Sequence, residues 1–127
     1  MPNCFGFIVV DIKNKKTILV ETPEGHLSYP KGKYEKKKDK SIYDCAIREL
    51  EEETGITICM IKIIPDLNLS EFTPKGNCNI QYFVCELDST FCNFSFDTDE
   101  IKSLLFYCMN LYNNVLFYII LYYFVSS

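Results

Sequence analysis

The sequence predicts a mixed α/β domain. Runs rich in β-branched and aromatic residues at 4–12, 17–21 and 79–87 read as strands. A single helical period between Ser41 and Gly55 interrupts them. At 127 residues, 48% of them hydrophobic, the chain suits one domain with one substantial core. A hairpin first, then a helix, then further strands indicates an α/β or α+β layered arrangement.

Taken in order, residues 4–12 form the first strand and Lys13-Asn14-Lys15-Lys16 a polar turn. Thr17 to Glu21 returns as the hairpin partner. Thr22-Pro23-Glu24-Gly25 is turn chemistry, His26 to Tyr29 a short extended piece, and Pro30-Lys31-Gly32-Lys33 a break in regular structure. Ser41 suits an N-cap, with Asp44 three residues on. Ile42, Cys45, Ala46 and Leu50 keep helical spacing, which predicts a helix over 42–54 ended by Gly55 at its C′ position. Ile56 to Ile64 reads as a strand, 65–76 as a long surface loop with Pro65, Pro74 and Gly76, and 79–87 as a strand. Residues 88–99 are a polar loop, and 100–106 the last strand. From Ser103 to Ser127 there is no charge, and Val115 to Val125 is an unbroken apolar run. Eleven residues fall short of the roughly 20 needed to span a bilayer. The readings of this tail are a final core element, a membrane-associated anchor, or a divergent or truncated end without a role.

Composition narrows the chemistry. A net charge of −4 gives no global case for nucleic acid. Charge is unevenly spread, however: six of the twelve lysines (Lys31, Lys33, Lys36, Lys37, Lys38, Lys40) fall within ten residues, next to the sole arginine, Arg48. Seven cysteines, an odd number with no C-x-x-C pair, and a single histidine argue against a zinc site or disulfide framework. Reduced thiols and the lack of a charged leader at Met1-Pro2-Asn3-Cys4 predict a cytoplasmic protein.

The chemistry concentrates in Arg48-Glu49-Leu50-Glu51-Glu52-Glu53-Thr54-Gly55-Ile56. Four carboxylates occupy the end of the helix, where negative charge opposes the macrodipole by about 0.3–1 kcal/mol each. Like charges three or four residues apart cost about 0.2–0.5 kcal/mol per pair more. Glu49, Glu52 and Glu53 share a face by that spacing. A turn that violates local rules marks a candidate site, and hard oxygen donors suit Mg²⁺ or Mn²⁺. The plain alternative is a solvated acidic helix end.

This stretch resembles the signature of the Nudix hydrolases, G-x5-E-x7-R-E-U-x-E-E-x-G-U with U bulky and aliphatic, and matches its second half at every fixed position. Pro30-Lys31-Gly32-Lys33 resembles the loop before the family's helix, and Glu100-Ile101 with Phe106 its later strand, so the likeness spans about residues 4–106. It implies a Nudix domain over 1–106, an α/β/α sandwich around a mixed sheet, with an atypical or truncated C-terminal end at 107–127. Two departures lie inside the motif. Gly32 to Arg48 is sixteen positions instead of fourteen, and the glutamate eight before the arginine is replaced by Lys40, with Asp39 beside it. A third lies outside it: the tail lacks the amphipathic helix that usually completes the sandwich.

The resemblance implies a divalent-metal-dependent hydrolase of a nucleoside-diphosphate-linked substrate. Glu49, Glu52, Glu53 and Glu100 would be metal ligands, with Asp97 or Asp99 as substitutes for Glu100; Glu52 or Glu53 would be the base. Arg48 would orient the glutamates, or make only an ordinary surface pair with Glu52. Lys31, Gly32 and Lys33 would meet substrate phosphates. The motif is similar to the mRNA-decapping branch, including viral enzymes, which makes capped RNA one substrate. Diadenosine or diphosphoinositol polyphosphates are another, and a non-catalytic module binding nucleotide or RNA is a third reading.

Overall fold

The computed structural model describes residues 2–11, 16–21, 25, 27–73, 78–87 and 103–108. They form a seven-stranded mixed sheet with one α-helix against it. Strand β1 (Cys4–Asp11) is central, buried along its whole length. The later strand β6 (Cys78–Leu87) lies parallel to it, from Cys4 opposite Ile80 to Val10 opposite Glu86. The other edge of β1 is shared. Its end pairs with β2 (Lys16–Glu21), while Cys4 to Gly6 pair antiparallel with β4 (Lys31–Lys33). Strands β3 (Leu27–Ser28) and β7 (Ser103–Cys108) pair antiparallel with β2, and β5 (Ile61–Thr73) pairs antiparallel with β6.

Side-chain alternation divides the core between the two faces of the sheet. Phe5, Phe7 and Val9 of β1 join Phe83, Cys85 and Leu87 of β6 on the helix side, packed on Cys45, Ala46 and Leu50. Cys4, Ile8 and Val10 join Ile80, Tyr82 and Val84 on the opposite face, with Tyr29 and Leu67 against them. Among the described residues α1 is the one α-helix, so the expected second helical layer of an α/β/α sandwich is not among them; the tail beyond Cys108 lies outside them. Among the described residues no helix is long and apolar enough to cross a membrane.

The helix α1 (Ile42–Thr54) keeps the expected bounds. The Ser41 hydroxyl accepts the Asp44 N–H at 3.1 Å, and Asp44 accepts the Lys40 N–H at 3.2 Å. Gly55 ends it at φ 79°, in the left-handed region where glycine carries no steric penalty. Complete burial of Leu50 on the sheet contributes about 2–3 kcal/mol.

Four expectations are corrected. Pro30-Lys31-Gly32-Lys33 does not end regular structure, because Lys31 to Lys33 form β4 against β1. Residues 56–64 are not one strand: Ile58–Met60 is a 3-10 turn, and pairing starts at Ile61. Residues 65–76 are not all loop, since β5 continues to Thr73. Pro65 is accommodated because pairing breaks between Ile63 and Asn68, where four residues of β5 face one of β6. Asp66 there takes φ 64°. The last strand runs past Phe106 to Cys108, while residues 100–102 of the expected strand lie outside the described residues.

Candidate active site

The helix register turns Glu49 and Glu53 inward, each 8% exposed, and leaves Glu51 and Glu52 in solvent. Strand β4 makes the inward position tolerable. The Lys31 N–H donates to Glu53 Oε2 at 2.8 Å. One residue on, a Cβ at Gly32 would meet the Glu49 carboxylate, so a side chain there would displace that group. The Cys45 thiol, buried beneath, donates to the Gly32 carbonyl at 3.6 Å. Burial first, then the nearby Asp39 charge, push this thiol up to about 12, so it remains a neutral donor.

Arg48 organises the other side. Its Nε and Nη2 donate to Asp39 Oδ1 and Oδ2, both at 2.8 Å, a bidentate fork. Nη2 also donates to the Lys33 carbonyl at 3.1 Å. Nη1 donates to Glu49 Oε1 at 2.9 Å and reaches both Glu52 oxygens at 3.3 Å. Arg48 is thus more than a surface i,i+4 partner of Glu52; it ties helix, β4 and the lysine-rich loop together. Hydrogen bonding to it and to the Glu35 N–H outweighs the burial of Asp39 and holds the Asp39 carboxyl at about 2. The same bonds raise the guanidinium pKa still further.

Asp39 is the residue whose importance exceeds its sequence signal. The adjacent Lys40 occupies the motif position and is exposed, while Asp39 is 4% exposed and supplies the carboxylate to Arg48. Its backbone is held too, by the Glu35 carbonyl and the Tyr34 hydroxyl. The available signal was a carboxylate one residue before Lys40 in a loop longer by two.

Glu49 and Glu52 therefore converge on one guanidinium nitrogen, and Glu53 sits against β4. Lys31 and Gly32 touch the carboxylates through backbone, whereas the Lys33 side chain is exposed. Glu100, Asp97, Asp99 and His26 lie outside the described residues. Hard oxygen donors on one helix face fit the chemistry of Mg²⁺ or Mn²⁺. Among the described residues, no three His, Cys, Asp or Glu side chains are gathered as a ready metal cage.

A pocket of about 360 Å³ opens beside the carboxylates, on the sheet face away from the helix. Its lining includes Leu19, Tyr29, Lys31, Glu71, Ile80 and Tyr82. Lys31 belongs to both regions, through its N–H on Glu53 and its place in the pocket wall. The arrangement joins a cleft of small-ligand size to a row of buried acids.

Comparison with known proteins agrees with this geometry. The mRNA-decapping protein g5R of African swine fever virus (a warthog isolate) is 35% identical over 82 residues, which cover 63% of this chain. Those residues are 30% of the viral protein, so the chain spans under a third of that relative's length. The g5R of a tick isolate gives the same identity. Among solved structures, a C. elegans Ap4A hydrolase in a binary complex superposes with TM-score 0.70 at 21% identity, covering 81% of this chain and 77% of that one. The NUDIX domain of Shewanella oneidensis NrtR, complexed with ADP ribose, superposes with TM-score 0.64 at 11% identity, covering 86% and 73%. These two likenesses bear on fold alone. The model of the NUDIX domain matches residues 2–111, from the central strand through the carboxylate helix to the last strand, and the chain belongs to that family.

Proposed function

We propose that this protein is a divalent-metal-dependent pyrophosphohydrolase of a nucleoside diphosphate linked to a second moiety, with capped RNA as its substrate. The observation that carries the reading is the buried pair Glu49 and Glu53 with exposed Glu52 joined to Glu49 through Arg48, braced by Asp39 and the Lys31 N–H, with a nucleoside-sized pocket that Lys31 also lines. Glu49, Glu52 and Glu53 would hold Mg²⁺ or Mn²⁺, with Glu100 as a further ligand. A cation held there would neutralise charge on the diphosphate and lower the pKa of a bound water.

The rest falls to the chain. Phosphoryl transfer needs positioning and charge stabilisation more than covalent help. Water attacks one phosphorus, the bond to the bridging oxygen breaks, and the water proton passes to Glu52 or Glu53 as base. Arg48 orients Glu49 and Glu52, and the Lys31 N–H orients one oxygen of Glu53. Lys31 and Lys33 meet the phosphates at the mouth of the site.

Capped RNA is favoured by the decapping name of the viral relatives and by the exposed lysines Lys36, Lys37 and Lys40 beside the site. The Asp39 carboxylate on Arg48 weighs against a merely binding module, because Lys40 no longer leaves the motif without that acid. A reducing, cytoplasmic site of action is proposed from the sequence alone, with its odd number of cysteines and no C-x-x-C pair. The test is turnover of capped RNA, diadenosine polyphosphate, diphosphoinositol phosphate, nucleotide sugar and dNTP, each with Mg²⁺ and with Mn²⁺. Capped RNA should give the highest kcat/KM. A higher value for diadenosine or diphosphoinositol polyphosphate would replace the substrate, and metal-independent binding without turnover would replace the enzyme.

A further inference from the structure

The pocket beside the carboxylates carries a charge that the hydrolytic chemistry does not use. Glu71, on β5, stands opposite Ile80 of β6, and the neighbouring Leu69 stands opposite Tyr82. Paired residues of antiparallel strands point to the same face, so Glu71 shares the face of Ile80 and Tyr82. All three line the cavity with Tyr29. The rings of Tyr29 and Tyr82 meet edge to face, with centroids 5.6 Å apart. The charge of Glu71 is felt by both hydroxyls: it adds to burial in raising the pKa of Tyr29 and of Tyr82. A carboxylate and two aromatic rings therefore line one space of about 360 Å³, together with Lys31, whose N–H is bound to Glu53.

The chemistry of that combination is selective. An ionised carboxylate only accepts hydrogen bonds, and it accepts two side by side. The Watson–Crick edge of guanine offers two adjacent donors, the N1–H and the 2-amino group. Adenine offers one donor and an acceptor there, which would set a lone pair against the carboxylate. Aromatic rings hold the apolar faces of either base, and favour a base that carries positive charge. We infer that Glu71 reads the Watson–Crick edge of a guanine base seated against Tyr29 and Tyr82, and so selects guanine over adenine nucleotides. This rests on the diphosphate-hydrolase reading for the orientation of the ligand, with its phosphates at Glu49 and Glu53 and its base in the pocket.

Symmetric dinucleotides isolate the base from every other variable. Hydrolysis of diguanosine triphosphate and diadenosine triphosphate is compared in wild type and in Glu71→Gln, together with equilibrium binding of GDP and ADP. The wild type should prefer guanine by about 10- to 100-fold in kcat/KM, the scale of a charged hydrogen-bonded pair. In Glu71→Gln the preference should fall about tenfold or more, through KM for the guanine substrate, because the amide presents a donor where an acceptor is needed. Equal use of the two bases by the wild type, or an undiminished preference in the variant, would overturn the assignment. If neither dinucleotide is hydrolysed, the binding arm decides. A GDP preference lost in Glu71→Gln would keep the pocket assignment and remove the hydrolase reading, whereas equal GDP and ADP affinities would remove the assignment as well.

Discussion

Asp39 and Arg48, nine positions apart in sequence, meet in a bidentate pair with both contacts at 2.8 Å. Lys40 stands where the motif that the chain resembles has a carboxylate, and the residue before it, Asp39, accepts from Arg48. No local spacing rule connects Asp39 to Arg48; only the closed loop brings them to 2.8 Å. Their coupling has a measurable pH signature. The Asp39 carboxyl lies at about 2, against 3.8 ordinarily, so its pKa is depressed by folding. Its stabilisation is therefore complete above about pH 4 and is lost as pH falls through about 2. Asp39→Asn should destabilise the protein at pH 7 by about 2–3 kcal/mol, less than a fully orphaned buried charge, because Glu49 and Glu52 still face Arg48. Denaturation at a series of pH values should show the gap between the two proteins closing toward pH 2. A gap unchanged over the whole range would contradict the pairing.

At the scale of elements, α1 was fully legible. Its cap, its apolar spacing and Gly55 are local signals, and Ile42–Thr54 follows from them. The strands β1, β2 and β6 were legible for the same reason, being rich in β-branched and aromatic residues. Strands β4 and β5 were not: β4 depends on a partner distant in sequence, and β5, although it pairs with the next strand, β6, carries Pro65. Lys31 to Lys33 carry turn-forming composition, yet β1 and the Glu53 carboxylate hold them extended. Pro65 reads as a terminator, and the irregularity around Asp66 lets the strand pass it. The helix end also makes a prediction of its own. Its last turn contains no basic residue, and Glu51 is exposed there. Glu51→Gln should raise stability by about 0.3–1 kcal/mol, by relieving the macrodipole and like-charge terms. Thermal melts without added divalent cation measure it, and a lower Tm in the variant would contradict the electrostatic account.

For the whole molecule, a lysine-rich segment leads into the acidic helix: Lys31 and Lys33 lie on β4 against α1, and exposed Lys36, Lys37, Lys38 and Lys40 follow in the loop between them. Lys38 is engaged with Glu35 at 3.0 Å in an exposed pair, which leaves Lys36 and Lys37 the stronger candidates for a long ligand. If RNA beyond the cap follows this loop, affinity should fall with salt by a slope of about 0.7 per phosphate contacted. Replacing Lys36, Lys37 and Lys38 by Gln should flatten that slope and raise KM for long capped RNA more than for a cap dinucleotide. Equal KM at all lengths in both proteins would remove the RNA track. The central claim, however, is that Glu49, Glu52 and Glu53 form a metal-assisted hydrolytic face. The most direct test is single-turnover cleavage of a capped RNA by wild type, Glu52→Gln and Glu53→Gln, in chelator and after adding back Mg²⁺ or Mn²⁺. The wild type should be silent in chelator and restored by the cation, with each variant slower by about 10²-fold or more. Full cleavage in excess chelator, or wild-type rates in both variants, would contradict it.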